Sequence, residues 1–169
     1  MAAKCPRPRV LVCKLESSRH ALPSLAQLKG PCDVVTAART LVGDEAREHL
    51  VAFYMSAKHC VTAFDVFTIG GLSAVEVDPG AILRGAIMVG APSFVTAHNH
   101  PSGDATPSDA DLSLWRELDA RAQVLGLTHL DSLIIGADEY FSRTDRRVVP
   151  LTTCPVQGLS GHRRVRSTY

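Results

Sequence analysis

The sequence predicts an α/β protein, a mixed β-sheet flanked by helices. Three observations carry this. Short apolar runs rich in β-branched and aromatic residues recur at EHLVAFYM (48–55), VTAFDVFTIGG (61–71) and SFVTAHNH (93–100), the length and composition of strands. Segments with helical spacing lie between and after them, the clearest being SDADLSLWRELDARAQVLG (108–126). The two kinds are interleaved along the chain, as expected when helices pack on the faces of a central sheet.

The elements follow in order. Residues 1–30 contain Pro6, Pro8 and Pro23 and show no clean period, so they are expected to form a mostly irregular arm with at most one short helix around SLAQLKG. From Cys32 to Leu41 the pattern VVTAARTLV suits a helix. EHLVAFYMSAKHC then reads as a strand ending in a polar turn at Ser56–His59, and VTAFDVFTIGG as its partner; so short a connection implies a hairpin. Pro79, after Asp78, opens a helix through AILRGAIMVGA, since proline suits a first helical turn. SFVTAHNH returns as a strand, and the loop 101–107 carries Pro101, Gly103 and Pro107. In the long helix, Leu112, Trp115, Leu118 and Ala122 are expected on the core face. DSLIIGADEYFSR reads as a closing hairpin. After Asp145 the chain turns polar and basic, and a poorly ordered tail is expected over 146–169. The domain proper is therefore placed at 31–145.

Composition bounds the function. With 46% hydrophobic and 21% charged residues among 169, the chain suits one soluble domain with a real core. A formal net charge of +1 argues against a protein built mainly to hold nucleic acid. Arginines cluster only near the ends, at Arg7 and Arg9 and at Arg163, Arg164 and Arg166, and weak DNA binding is the most they imply. No run is apolar for long enough to span a bilayer, and VLV near the start is too short for a signal-peptide core; a cytoplasmic location is expected. The cysteines are Cys5, Cys13, Cys32, Cys60 and Cys154, an odd number without a CxxC pair. That pattern favours free thiols over a disulfide framework or a thiolate zinc site. No glycine-rich phosphate loop follows a strand, so nucleotide chemistry is not expected.

The stretch HNHPSGDATPSDAD (98–111) concentrates the chemistry. Side chains alternate along a strand, so His98 and His100 point one way and Asn99 the other. Two imidazoles so placed can converge on one ion at about 2.0–2.1 Å. The proline- and glycine-bearing loop turns the chain back, and Asp111 falls in the first turn of the next helix. Facing the strand end, it supplies a third ligand and leaves a fourth position open, as catalytic zinc sites do. Ser108-x-x-Asp111 is also close to a capping box, which would account for those two residues without a metal, but not for the histidines before them. His20, His59, His129 and His162 have no partner at ligand spacing. His129, near Asp131, could support a ligand from behind, but is read first as a surface or half-buried structural residue.

The same stretch resembles the JAMM metalloprotease motif, His-x-His, seven residues, then Ser-x-x-Asp, at His98, His100, Ser108 and Asp111. Together with REHLVAFYMSAKH upstream and LGLTHLDSLIIGADEYFS downstream, it is similar to the RadC family over about residues 30–145. The resemblance implies a JAB/MPN fold, which is cytidine-deaminase-like, and a zinc-dependent peptidase-type domain. It also implies a glutamate from an upstream strand, a position that Glu48 occupies. Amide hydrolysis by a metal-activated water needs a base that takes a proton and passes it to the leaving amine, and Glu48 is assigned that role by the resemblance. Ser108 is assigned, in the same way, to steadying the oxyanion of the tetrahedral intermediate. The chain departs from the family at Asp131-Ser132, where Asp-His is usual, and at Pro79-Gly80-Ala81, where Pro-Arg-Glu is usual. The helical DNA-binder-like region that precedes the family's domain has no counterpart in the first 30 residues.

The expected function is thus a zinc metallopeptidase or isopeptidase-like hydrolase acting on a peptide or protein. A DNA-repair accessory role, implied by the family's name, and a non-catalytic interaction module are the alternatives. The complete set of Glu48, His98, His100, Ser108 and Asp111 weighs against the last, since a binding module needs no activating base.

Overall fold

The computed structural model describes residues 27–42, 47–69 and 77–154. They form helix α1 (Pro31–Val42), strands β1 (Glu48–Met55) and β2 (Val61–Ile69), helix α2 (Pro79–Met88), strand β3 (Ser93–Asn99), helix α3 (Asp109–Val124), and strands β4 (Thr128–Ile135), β5 (Glu139–Ser142) and β6 (Arg147–Pro150), followed by a short 3-10 turn. The six strands make one sheet in the order β2-β1-β3-β4-β5-β6. Every neighbouring pair is antiparallel except β3 and β4, the pair that α3 connects, as a parallel crossover requires.

The sheet is covered on both faces, which is why its central strands read as continuous apolar runs rather than alternating ones. Val34, Val35, Ala37 and Ala38 of α1 pack with Val51, Phe53, Met55, Val95, Ala97, Leu133 and Ile135. On the other face, Ile82, Leu83 and Ala86 of α2 and Leu118 and Ala122 of α3 pack with Leu50, Ala52, Tyr54 and Phe94. Alternate residues of β1 thus enter opposite cores. Helix α2 comes closest at Gly85, where an added methyl would run into the Tyr54 hydroxyl and the Asp65 carboxylate that it donates to.

Three expectations change. First, Leu112 is 40% exposed, and Asp111, at 7%, takes the inward place beside Trp115, Leu118 and Ala122. The spacing 111, 115, 118, 122 keeps to one face of a 3.6-residue helix, whereas Leu112 sits one residue, about 100°, off it. Second, the chain past Asp145 does not leave the domain. It adds β6 to the sheet edge and ends its described part at Cys154. Third, Cys32 and Cys154 form a disulfide across 122 residues, where the pattern of cysteines favoured free thiols. The start of α1 and the turn after β6 meet at one edge of the α1-side core, a proximity that linear spacing cannot disclose. Cys60 is a free cysteine. The helix expected around SLAQLKG lies partly outside the described residues, and residues 27–30 run without helix. No helix among the described residues is long and apolar enough to cross a membrane.

A buried polar chain crosses the α3 side of β4. Ser132 bonds Thr96 (2.7 Å) and the Nε2 of His129 (2.9 Å), while Nδ1 of His129 bonds Asp119 (2.8 Å). The His129 ring also stacks on Phe94, which makes it structural, as its isolation in the sequence suggested. Burial, reinforced by the Arg143 charge, pulls the His129 pKa below the ordinary 6.5 despite Asp119 beside it. The unfolded chain then binds the proton more readily, so this stabilisation is present above pH 6.5 and is lost as pH falls toward the depressed folded value. Urea midpoints measured from about pH 7.5 to about pH 5 should fall less steeply for His129→Gln than for the wild type. Parallel curves for the two proteins would contradict this.

Candidate metal centre

Glu48, His98, His100 and Asp111 are brought together by four pieces of local structure. The β1–β3 register sets Leu50 opposite His98. In an antiparallel pair the next same-face neighbours, Glu48 and His100, then lie side by side across the strands. Both histidines point to the α3 face, as their spacing predicts. His100 is one residue past the strand, yet its amide still donates to the Ile135 carbonyl (2.9 Å), which prolongs the ladder with β4.

The loop after His100 is pinned to the sheet. Gly103 bonds the His100 carbonyl (3.0 Å) and its own carbonyl accepts the Ala137 amide (3.0 Å). Gly103 takes φ +84°, a conformation open to glycine. Ala105 is fully buried in a small core with Trp115 and Ile134. The Nδ1 of His100 bonds the Asp104 carbonyl at 2.8 Å. A carbonyl can only accept, so Nδ1 carries the proton and Nε2 is left as the donor atom facing the cluster.

Asp111 is oriented by the helix start itself. Ser108 caps α3 in a full capping box: its hydroxyl accepts the Asp111 amide, and the Asp111 carboxylate accepts the Ser108 amide. The Ser108 hydroxyl also donates to Oδ2 of Asp111. With Oδ2 so engaged, Oδ1 is turned to His98, 2.9 Å from its Nε2.

The donor atoms of all four residues lie within 4.8 Å of one another. Nε2 of His98 and Nε2 of His100 are 3.1 Å apart, and Nε2 of His100 is 3.5 Å from Oδ2 of Asp111. Ligands about 2.0–2.1 Å from a tetrahedral zinc lie about 3.3 Å from one another, so these separations and the N,N,O donor set fit that ion. Glu48 stands slightly apart, its Oε1 3.8 Å from His98, and its side chain is 31% exposed where that of His98 is 2%. Burial alone would raise the Asp111 carboxyl, but its interactions with His100 and His98 and the hydrogen bond from Ser108 outweigh it and hold the group well below the usual carboxylate range. His100 is shifted up, first by its bond to Asp111, with burial opposing. The centre is thus built around one carboxylate kept ionised.

The five residues singled out in the sequence all sit here, Ser108 through its hold on Asp111. Two contributors were missed. The Asp104 carbonyl acts through its backbone and leaves no trace in residue type. Asn99 lies on the opposite face, as its place between the two histidines predicts, and its side-chain bonds to the start of β1 leave no signal in residue type either. His49 also faces that side, beside a cleft of about 410 Å3 lined by Arg39, Val42 and Asn99 and reaching His98 and His100.

A family model described as a RadC-like JAB domain matches residues 28–148. The chain is similar to a UPF0758 protein of Carboxydothermus hydrogenoformans, 35% identical over 118 residues that make up 70% of this chain and 52% of the relative. It is similar also to a UPF0758 protein of Chlorobaculum tepidum, 34% identical over 123 residues, 73% of this chain and 55% of the relative. The chain therefore spans about half the length of these curated relatives.

The pinned loop yields a prediction. A methyl on Gly136 would run into the Gly103 carbonyl and crowd the Ala105 amide, pushing the loop and His100 out of place. Gly136→Ala should weaken metal binding by about 10- to 100-fold, the range seen when a ligand's supporting contacts are disturbed. Competition titration with a chromogenic zinc chelator measures it, and an affinity equal to wild type would show that the loop yields without moving His100.

Proposed function

The chain belongs to the RadC-like JAB domain family, and from that premise we propose that it is a zinc-dependent hydrolase of amide bonds, of metallopeptidase or isopeptidase type, with a peptide or protein as substrate. The observation that carries this reading is the convergence of two imidazole nitrogens, one carboxylate and a second, more exposed carboxylate within 4.8 Å.

His98, His100 and Asp111 would hold the ion. Zinc bound there would supply a Lewis acid that acidifies water and polarises a carbonyl. Glu48 is the base. It stands beside the ligands rather than among them, and its partial exposure leaves it open to a substrate. Its carboxylate takes a proton from the attacking water and returns it to the departing amine nitrogen, which leaves Glu48 ionised for the next cycle. Ser108 orients Asp111. To steady an oxyanion as well, its hydroxyl proton would have to swing from Asp111 to the substrate oxygen, while the Ser108 amide kept its hold on the carboxylate.

Protein purified without chelator should contain about one zinc per chain by elemental analysis, and His98→Ala or His100→Ala should lose most of it. Absence of any transition metal after zinc is supplied would remove the basis of the proposal. Glu48→Gln keeps the shape of the side chain but not its basicity. It should retain zinc while hydrolysis of a cleaved peptide, found first with the wild type from a peptide library, falls by about 10²–10⁴-fold. Zinc loss in Glu48→Gln would make Glu48 a ligand, and unchanged turnover would exclude it as the base.

A further inference from the structure

Between the two proposed ligands stands Asn99, and the geometry points to a role for it that the motif does not assign. The backbone ladder between β1 and β3 ends at the pair Leu50 and His98. On its other side β1 stays paired with β2 as far as Glu48 and Ile69. The last turn of β1 toward its start would therefore lack a partner along β3, and this is where Glu48 sits.

The Asn99 side chain continues the ladder in place of backbone. Its Oδ1 accepts the His49 amide at 2.8 Å, and its Nδ2 donates to the Arg47 carbonyl at 3.0 Å. These two groups belong to the two peptide units on either side of the Glu48 α-carbon. Fixing both planes fixes φ and ψ of Glu48, and with them the direction of its Cα–Cβ bond. A primary amide suits the task because it offers one acceptor and one donor a short distance apart, as a facing strand would. The alternation of the strand does the rest: His98 and His100 go to the α3 face while Asn99, between them, is directed to β1.

We propose that Asn99 is a positioning residue that aims the Glu48 carboxylate at the metal centre and locks the base to the strand that carries two of the ligands. This rests on Glu48 being the base. Asn99 touches no reacting atom, and it acts through the backbone of β1. A carboxylate at a strand end held on one edge only would sample several directions, and misplacement of a catalytic group by about 1 Å can cost on the order of 100-fold.

The test compares Asn99→Ala and Asn99→Asp with wild type in the full chain. In Asn99→Ala, NMR-detected exchange of the His49 amide should accelerate about tenfold, the order expected for one lost hydrogen bond, while amides of α3 keep their protection and zinc content stays near wild type. Asn99→Asp keeps an acceptor for His49 and should keep that amide protected, though it loses the donor to Arg47; it also serves if the alanine variant folds poorly. On a cleaved peptide, Asn99→Ala should lower kcat about 10- to 100-fold with KM little changed. That loss should vanish in a Glu48→Gln background, because residues acting through one another are not additive. Unchanged His49 exchange in Asn99→Ala overturns the proposal, as does a kcat loss that persists in the Glu48→Gln background or zinc lost with Asn99. If Glu48→Gln alone leaves turnover intact, it is the base assignment that fails, and the amide exchange still decides whether Asn99 holds β1.

Discussion

The register between β1 and β3 is the constraint on which the centre depends. Leu50 opposite His98 places Glu48 next to His100, and a slip by one residue would turn Glu48 to the α1 face and bring His49 in its place. The register is secured by burial on both sides. Leu50, Ala52 and Tyr54 enter one core and Val51, Phe53 and Met55 the other, so no slip leaves either core intact. A chemistry confined to one end of the sheet is thereby fixed by apolar packing along its whole width.

The capping box and the metal ligand were two competing explanations of Ser108 and Asp111 in the sequence. In the structure the two readings are compatible. The cap uses Oδ2 of Asp111, which leaves Oδ1 directed at His98. A helix start ordinarily favours an acidic side chain near its free amides, so the same local physics that begins α3 also supplies an oriented carboxylate. The exposed place of Leu112 follows from this. With Asp111 turned inward, the residue after it must turn away.

What was legible in the sequence was what side-chain periodicity encodes: the α1, β1, β2, α2, β3, α3, β4 and β5 order, the shared face of His98 and His100, and the opposite face of Asn99. The inward turn of Asp111 toward the histidines was expected from the motif, but Leu112 was misplaced because an apolar side chain marks a core stripe whether or not its neighbour takes the inward place. The Cys32–Cys154 pair depends on a contact between chain segments far apart in sequence, and residue type alone carries no record of it; β6 pairs with the neighbouring β5, but its four residues begin a stretch whose basic, polar composition masks a short edge strand. The support of His100 by Asp104 runs through a carbonyl that every residue possesses. Glu48 had no local signal at all, since a charged residue at a strand start is ordinary, and only the resemblance to a family singled it out.

The members of the centre differ in how firmly they are held, and the difference matches the parts assigned to them. His98 lies within the β1–β3–β4 ladder, His100 is tied by its amide and its Nδ1, and Asp111 by the cap of α3. Ligands benefit from this rigidity, since every bond that fixes a donor atom beforehand removes a cost of ordering it around an ion. A base has a second requirement. It must meet a substrate and exchange protons with it, so it cannot be sealed as His98 is. As the proposed base, Glu48 would satisfy both demands by standing at a strand end, its side chain partly exposed but its backbone held by β2 on one edge and the Asn99 amide on the other. Constraint on the main chain with access at the side chain reconciles aim with reach, and a strand end beside a buried ligand pair is where a sheet can provide both.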